Sequence, residues 1–416
     1  MKRRQFLRRA LLAVAPLSGS AARDRHSRIQ ARPRIVIVGG GFAGSACALH
    51  LLELEPRLDV ALIDPIERYV TCPMSNEVVV GLRAAGSITV TRRGVRDAGV
   101  KMLLERVVRC DFTARRVHFE AGGSLHFDRL VLAPGIRFLT DRIAGYDARA
   151  TQSMPHAWQA GEQTQRLAQL LRALEDGGAA AISVPSGLYR CPPAPYERAS
   201  LMAHWLKEHR PRSKVLIFDA NNRFPRQDLY TAAWHELYPG IIEWIPAGEG
   251  GEVTRVDASS MTLYTSSGAH RVALANIIPP QAPSLLAVES ALASDHGWCP
   301  IDPLTFESTL QRGVYVIGDA CIADAMPKAA SAACSQAAQC ARAIVAVLAD
   351  REAPTTELSS VCYSLVAPGR VMTFSARYKL EDRHIVAGGT VADPDAQQAE
   401  AAQDWYRSIR AEAFAG

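Results

Sequence analysis

The stretch Arg34-Ile35-Val36-Ile37-Val38-Gly39-Gly40-Gly41-Phe42-Ala43-Gly44 decides the fold. Its first five residues form a short apolar, β-branched run, the composition of a buried parallel strand. Gly39, Gly41 and Gly44 then fit G-x-G-x-x-G, and a helical pattern runs on to Leu54. A second apolar strand, Val60-Ala61-Leu62-Ile63, ends in Asp64, 20 residues beyond Gly44. Strand, glycine turn, helix, strand and acid in that order predict a dinucleotide site. The first glycine makes the turn, the second admits a pyrophosphate close to backbone, and the third lets helix and strand pack. The helix N-terminus favours the phosphates, and Asp64 is placed to accept from a ribose hydroxyl.

Three later segments extend this reading. Glu105-Arg106-Val107-Val108 is strand-like; it either meets an adenine through its backbone around Val107 or simply packs. Leu130-Val131-Leu132-Ala133-Pro134-Gly135 runs from a strand into a turn of small residues, with Ala133 and Gly135 at the point of approach. Gly313-Val314-Tyr315-Val316-Ile317-Gly318-Asp319-Ala320 is another strand, ending in Gly318-Asp319. The last two resemble the later FAD-contacting segments of two-dinucleotide-binding, glutathione-reductase-like flavoproteins. There the aspartate caps the ribityl and pyrophosphate region near the start of a helix. A second Rossmann-like strand follows at Ala179–Val184, but the loop after it, Pro185 to Arg198, lacks the glycine fingerprint. Pro192, Pro193 and Pro195 stiffen it, and Cys191 stands where a pyrophosphate would lie. The second domain is therefore expected to be built around a thiol rather than a nicotinamide.

Composition narrows the class. A chain of 416 residues exceeds one hydrophobic core. At 48% hydrophobic and 21% charged it is an ordinary globular chain. The net charge of +5 is uneven: residues 1–30 carry +7, leaving −2 on the rest. A nucleic-acid binder would keep its basic patch on the folded domain, so that class is disfavoured. Lys2-Arg3-Arg4-Gln5-Phe6-Leu7-Arg8 reads as a twin-arginine export motif. The apolar run after it, Ala10 to Leu17, is broken by Pro16 and is short of the roughly 20 residues that span a bilayer. Residues 1–31 are expected to be a signal peptide and the periplasm the destination; the alternative is a basic amphipathic N-terminus that stays attached. No later stretch reads as a membrane span. None of the nine cysteines begins C-x-x-C-H, so no haem is attached to this chain, and no C-x-x-C pair suggests zinc. The histidines are scattered, and His156, Tyr189 and Trp298 read as packing residues.

Longer motifs make the resemblance specific. Tyr69-Val70-Thr71-Cys72-Pro73-Met74-Ser75-Asn76-Glu77-Val78 and Arg190-Cys191-Pro192-Pro193-Ala194-Pro195-Tyr196-Glu197-Arg198-Ala199-Ser200 carry it, with Gly297-Trp298-Cys299-Pro300, Val316–Ala323 and Cys362-Tyr363-Ser364-Leu365-Val366-Ala367-Pro368. The chain resembles the flavoprotein subunit of flavocytochrome c sulfide dehydrogenase over nearly its whole length after the leader. Cys334 and Cys340 match no family cysteine with a role, and Tyr238-Pro239-Gly240-Ile241 is shorter than the family pattern.

The resemblance implies an α/β fold of two Rossmann-like domains plus a smaller C-terminal domain. Residues 32–150 and 266–345 would bind FAD, 151–265 would form the second domain, and 346–416 the last. It implies that Cys72 holds FAD through an 8α thioether. Its place, eight residues after Asp64 and so towards the ring end, agrees with this. It implies that Cys191 and Cys362, 171 residues apart, form a redox disulfide over the flavin, Cys362 nearer the reactive ring carbon. Glu197 would be the acid/base that deprotonates hydrogen sulfide or a thiol; otherwise it is a surface glutamate at a helix start. The implied activity is oxidation of sulfide to sulfur or polysulfide, with electrons passing to a haem-bearing c-type cytochrome subunit. A sulfide:quinone oxidoreductase-like enzyme, an NADH-dependent disulfide reductase and a non-catalytic flavin-binding protein are the alternatives.

Overall fold

Strand Arg34–Val38 is flanked on both sides by parallel partners, Asp59–Ile63 and Arg129–Leu132. The structure is a computed structural model and describes residues 32–391 and 398–415. Ile35, Val36 and Ile37 have no exposed surface, as the apolar run requires. Val314–Val316 adds beyond Arg129–Leu132 and Lys101–Leu103 beyond Asp59–Ile63, completing a five-stranded parallel sheet. The glycine turn leads into helix Phe42–Leu54, which packs on helix Ala330–Leu348. Ala43, Ala46 and Cys47 on one helix and Ala333, Ala337 and Cys340 on the other share this core, small side chains permitting close approach. The twin-arginine segment lies outside the described residues.

The second sheet is also parallel, in the order Ile242–Ile245, Lys214–Asp219, Ala179–Val184, Leu274–Ile277. Its last strand corrects the expected boundary at 265/266. Ala180–Ser183 pair with Leu274–Ile277, so the second sheet takes a strand expected in the FAD segment. The reason is that a short buried run such as Leu-Ala-Asn-Ile serves either sheet equally well. What holds it here is Asn276, fully buried, whose amide donates to Pro155 O and His156 O, both at 2.7 Å.

The C-terminal region is an antiparallel sheet of Leu358–Ala367, Arg370–Glu381 and His384–Val391, followed by helix Gln398–Phe414. Strand Leu358–Ala367, which carries Cys362, lies against helix Ala194–His209 of the second sheet and helix Ala330–Leu348 of the first. Helix Gln398–Phe414 returns to the glycine turn. The Phe414 ring sits 5.2 Å from Phe42 and 5.8 Å from Tyr69, and the Tyr406 and Thr71 hydroxyls hydrogen-bond at 2.6 Å.

Candidate active site

Two glycines of the turn are dictated by space. Gly39 has φ +100°, and a Cβ there would lie 2.2 Å from Ala133 O. A Cβ on Gly44 would lie 1.9 Å from Gly39 O, so the third glycine lets the helix pack against its own turn. Gly41 caps helix Phe42–Leu54 with no side-chain hydrogen bond and no acid in the first turn. The helix thus presents unspent N–H groups and the positive end of its dipole. Asp64 accepts from Gly40 N–H at 2.6 Å and from Ile66 N–H at 2.7 Å. Buried Arg92 lies 3.3 Å from the same carboxylate, and its Nε donates to Gly40 O at 2.6 Å.

A cavity of about 380 Å³ opens from this turn. Gly39, Gly41 and Asp64 line it together with Ala133, Gly135, Gly318 and Asp319, and so do Cys72, Cys191, Glu197 and Cys362. Gly135 and Gly318 hold φ of +68° and +74°. Helix Ala330–Leu348 also starts at the cavity, at Ala329 and Ala330, without a side-chain cap. Of the expected site residues, Gly44 and Val107 stand outside the lining. Gly44 acts through packing, and Val107 starts the separate strand Val107–Asp111, paired with Arg116–Phe119.

All nine cysteines, Cys191 and Cys362 included, are free thiols, so the expected disulfide is not formed in this structure. The fold nevertheless brings both to one cavity. Cys191 is held at φ +54°, rare for a residue with a Cβ. Its N–H donates to Lys328 O at 2.8 Å, and its carbonyl accepts from Ala194 N–H at 3.0 Å. Burial pushes both thiols up, Cys362 to about 11, with the Cys362 and Glu197 charges adding to the rise at Cys191. Cys72 Sγ lies 3.9 Å from Trp158 O.

Glu197 stands at a helix start but is half-buried. It is in the first turn of helix Ala194–His209, accepting from Leu365 N–H at 2.9 Å and Asn76 Nδ2 at 2.8 Å. Burial raises its carboxyl to about 7, against the pull of those two donors. Beside it, fully buried Arg198 spends its guanidinium on acceptors: Asn76 Oδ1, Asn276 Oδ1, His156 O and Ala157 O. His156 is a packing residue, tilted on Phe138 at 4.3 Å and depressed to about 4 by burial and then by Arg198.

In the second sheet the matching acid is taken up by protein donors. Asp219 ends the second strand of the second sheet, the place that Asp64 takes in the first. It has no exposed surface and accepts from Tyr196 OH at 2.7 Å, Trp244 Nε1 at 2.9 Å and Asn221 N–H at 2.9 Å. Among the described residues no cluster of His, Cys, Asp or Glu suits a metal.

Sequence reasoning missed Asn76, Tyr69, Trp158, Arg190 and Trp405, which also line the cavity. Arg190 carried a local signal beside Cys191 in the proline-rich loop, and Tyr69 and Asn76 one in the motif around Cys72; Trp158 and Trp405 carried none.

Two Rossmann-type sheets, one glycine turn and a cavity leading from it to three cysteines define a flavoprotein oxidoreductase of the pyridine nucleotide-disulfide class. The pyridine nucleotide-disulphide oxidoreductase family model matches residues 33–173. The models for the central and flavin-binding parts of the flavocytochrome c sulfide dehydrogenase flavoprotein match residues 164–279 and 354–414. The chain is 49% identical, over 45 residues, to the sulfide dehydrogenase flavoprotein chain of Chlorobaculum thiosulfatiphilum. That match covers 11% of this chain and 94% of the relative. The chain belongs to the flavocytochrome c sulfide dehydrogenase flavoprotein family. It is also 22% identical to the mitochondrial sulfide:quinone oxidoreductase of Dictyostelium discoideum, over 69% of this chain and 65% of that one. The solved sulfide:quinone oxidoreductase of Aquifex aeolicus shares the fold, with TM-score 0.75 and 17% identity over 92% of this chain and 93% of that one. FAD is the cofactor of the class, and the lining fits it: two helix N-termini without side-chain caps suit its anionic and polar groups, and Cys72 lines the same cavity.

Proposed function

We propose that this chain oxidises sulfide to sulfur or polysulfide through a Cys191/Cys362 disulfide–dithiol couple and passes the electrons to a c-type cytochrome subunit. The observation that carries it is the gathering of Cys191, Cys362 and the half-buried Glu197 on one cavity, while Asp219, the matching acid of the second sheet, is held by Tyr196 OH. FAD, when bound, supplies an acceptor that takes electrons in pairs and gives them up singly, as a haem requires. The chain's own residues do the sulfur chemistry. Hydrosulfide displaces one cysteine of the disulfide, forming a persulfide and releasing a thiolate. Glu197, near neutrality in its pKa, takes and returns the proton of the sulfur species. Leu365 N–H and Asn76 Nδ2 hold its carboxylate in place. Anaerobic addition of sulfide to the purified complex should bleach the flavin and then reduce the cytochrome; unbleached flavin overturns the reading.

The finer points belong to the same proposal. Cys72 holds FAD covalently, so acid-precipitated protein should stay yellow and yield a flavin-bearing peptide containing Thr71-Cys72-Pro73. A yellow supernatant over a colourless pellet would refute the linkage. The leader directs the chain to the periplasm, tested by fractionation with and without the Arg3-Arg4 pair. A second reading, a quinone acceptor, draws on the fold shared with the Aquifex enzyme. Such an enzyme should present an apolar-faced amphipathic helix to the membrane, whereas Phe414 of helix Gln398–Phe414 is buried on Phe42 and Tyr69. Comparing a soluble cytochrome c with a short-chain quinone as acceptor decides between them.

A further inference from the structure

Two arginines flank the sulfur end of the cavity, and they are not alike. Arg198 spends its donors on four protein acceptors and is part of the framework. Arg190 commits one donor, an Nη2 hydrogen to Trp158 O at 2.6 Å. Its Nη1 stands 3.7 Å from Asp319 Oδ2, beyond hydrogen-bond length, and no other acceptor reaches its side chain among the described residues. A guanidinium that lines a cavity at 19% side-chain exposure, paired with Asp319 only at 3.7 Å and with most of its hydrogen-bond donors unspent, can take a further anion.

We propose that Arg190 binds the incoming hydrosulfide anion and directs it onto Sγ of Cys191. This rests on the sulfide-oxidising reading above and names the attacked cysteine. In the step, a bond forms between hydrosulfide sulfur and Cys191 Sγ as the Cys191–Cys362 S–S bond breaks. The electron pair of the broken bond leaves on Cys362 Sγ as thiolate. Cys191 is left as a persulfide, and its proton goes to the Glu197 carboxylate. Arg190 suits this role because it precedes Cys191 in a loop held by proline and by the Cys191 N–H to Lys328 O bond. Its positive charge also opposes the effects of burial, Cys362, Glu197 and Cys72 on the Cys191 thiol. The same charge that stabilises an anionic sulfur there selects hydrosulfide over a neutral thiol.

The test uses Arg190→Gln and Arg190→Lys holoenzymes. In anaerobic stopped-flow, Arg190→Gln should raise the sulfide concentration for half-maximal bleaching rate about 10- to 100-fold, the span of a lost charge-assisted hydrogen bond. FAD content and flavin midpoint potential should not change, and Arg190→Lys should recover part of the loss. A second readout needs no sulfide. In the reduced enzyme, Cys191 of the wild type should label faster with anionic iodoacetate than with neutral iodoacetamide, relative to a free-thiol standard. Arg190→Gln should lose that preference. Unchanged half-saturation, a shifted flavin potential in its place, or no iodoacetate preference in the wild type overturns the inference. If sulfide fails to bleach the wild type while the iodoacetate preference holds, it is the functional reading that falls and not the anion site.

Discussion

The two parallel sheets begin alike and finish differently. In each, a buried strand runs into a loop and then a helix, and a second strand ends in aspartate. At the first sheet the loop is glycine, the helix start is uncapped, and Asp64 lines the cavity while closing the glycine turn. At the second the loop is proline and cysteine, the first helical turn carries the acid Glu197, and Asp219 is buried under Tyr196 and Trp244. One architecture therefore carries a nucleotide at one end and a thiol at the other. The difference teaches that the contents of the loop, and not the sheet, decide what such a domain binds.

The most severe way to break this comparison is to exchange like for like in the two loops. Gly44→Ala places a methyl 1.9 Å from Gly39 O, a backbone atom that cannot swing aside, and 3.3 Å from Ala133 Cβ, so helix and turn cannot keep their packing. No holoprotein is expected, read as flavin absorbance per protein. Gly187→Ala, at φ +76° but with nothing within 4 Å, should cost about 1 kcal/mol of stability and leave flavin and activity intact. Equal losses in the two would end the distinction.

Cys191→Ser sharpens it from the thiol side. Without the sulfur electrophile, sulfide-dependent bleaching should fall by about 10³-fold or more, the scale of removing a nucleophile that acts as part of a unit. Photoreduction of the flavin should be unchanged, showing that the first sheet still holds it. Residual bleaching near the wild-type rate would remove Cys191 from the reaction.

Much of the first sheet was legible because its signals are local: three glycines and an acid within 26 residues of one another. The sulfur end was legible only through resemblance, since Cys191 and Cys362 lie 171 positions apart and meet through packing of the C-terminal sheet on helix Ala194–His209. Arg198 shows why the rest was hidden. Its partners Asn76, His156 and Asn276 are 122, 42 and 78 positions away, and no spacing rule joins them. The strand Leu274–Ile277 went to the wrong sheet for the opposite reason, being too short and plain to declare a partner.

Glu197→Gln tests the proton step with a smaller effect. Activity should fall about 100-fold, the usual scale of general acid–base catalysis. The sign follows from a carboxyl raised to about 7. The base form is filled above that pH and lost below it, so wild-type bleaching should weaken as pH falls through 7. Hydrosulfide loses its charge on the same side, but that ionisation is common to both proteins. The limb present in the wild type and missing in Glu197→Gln belongs to Glu197; identical profiles would leave it a spectator.

The mildest change probes the sealed acid. Tyr196→Phe keeps the ring, stacked on Phe224 at 3.8 Å, and removes only the hydroxyl that donates to Asp219 at 2.7 Å. Asp219 retains Trp244 Nε1, Asn221 N–H and Asn221 Nδ2, so the cost should be about 1–2 kcal/mol in denaturant unfolding. Sulfide oxidation should persist, because Tyr196 is one residue from Glu197 but faces the second sheet, fully buried. NADH should not bleach the flavin, because freeing one lone pair of Asp219 does not restore the glycines that a pyrophosphate needs, nor remove the acid in the first helical turn. Rapid bleaching by NADH in this variant would mean that a single hydrogen bond, rather than the whole loop, separates the two sheets.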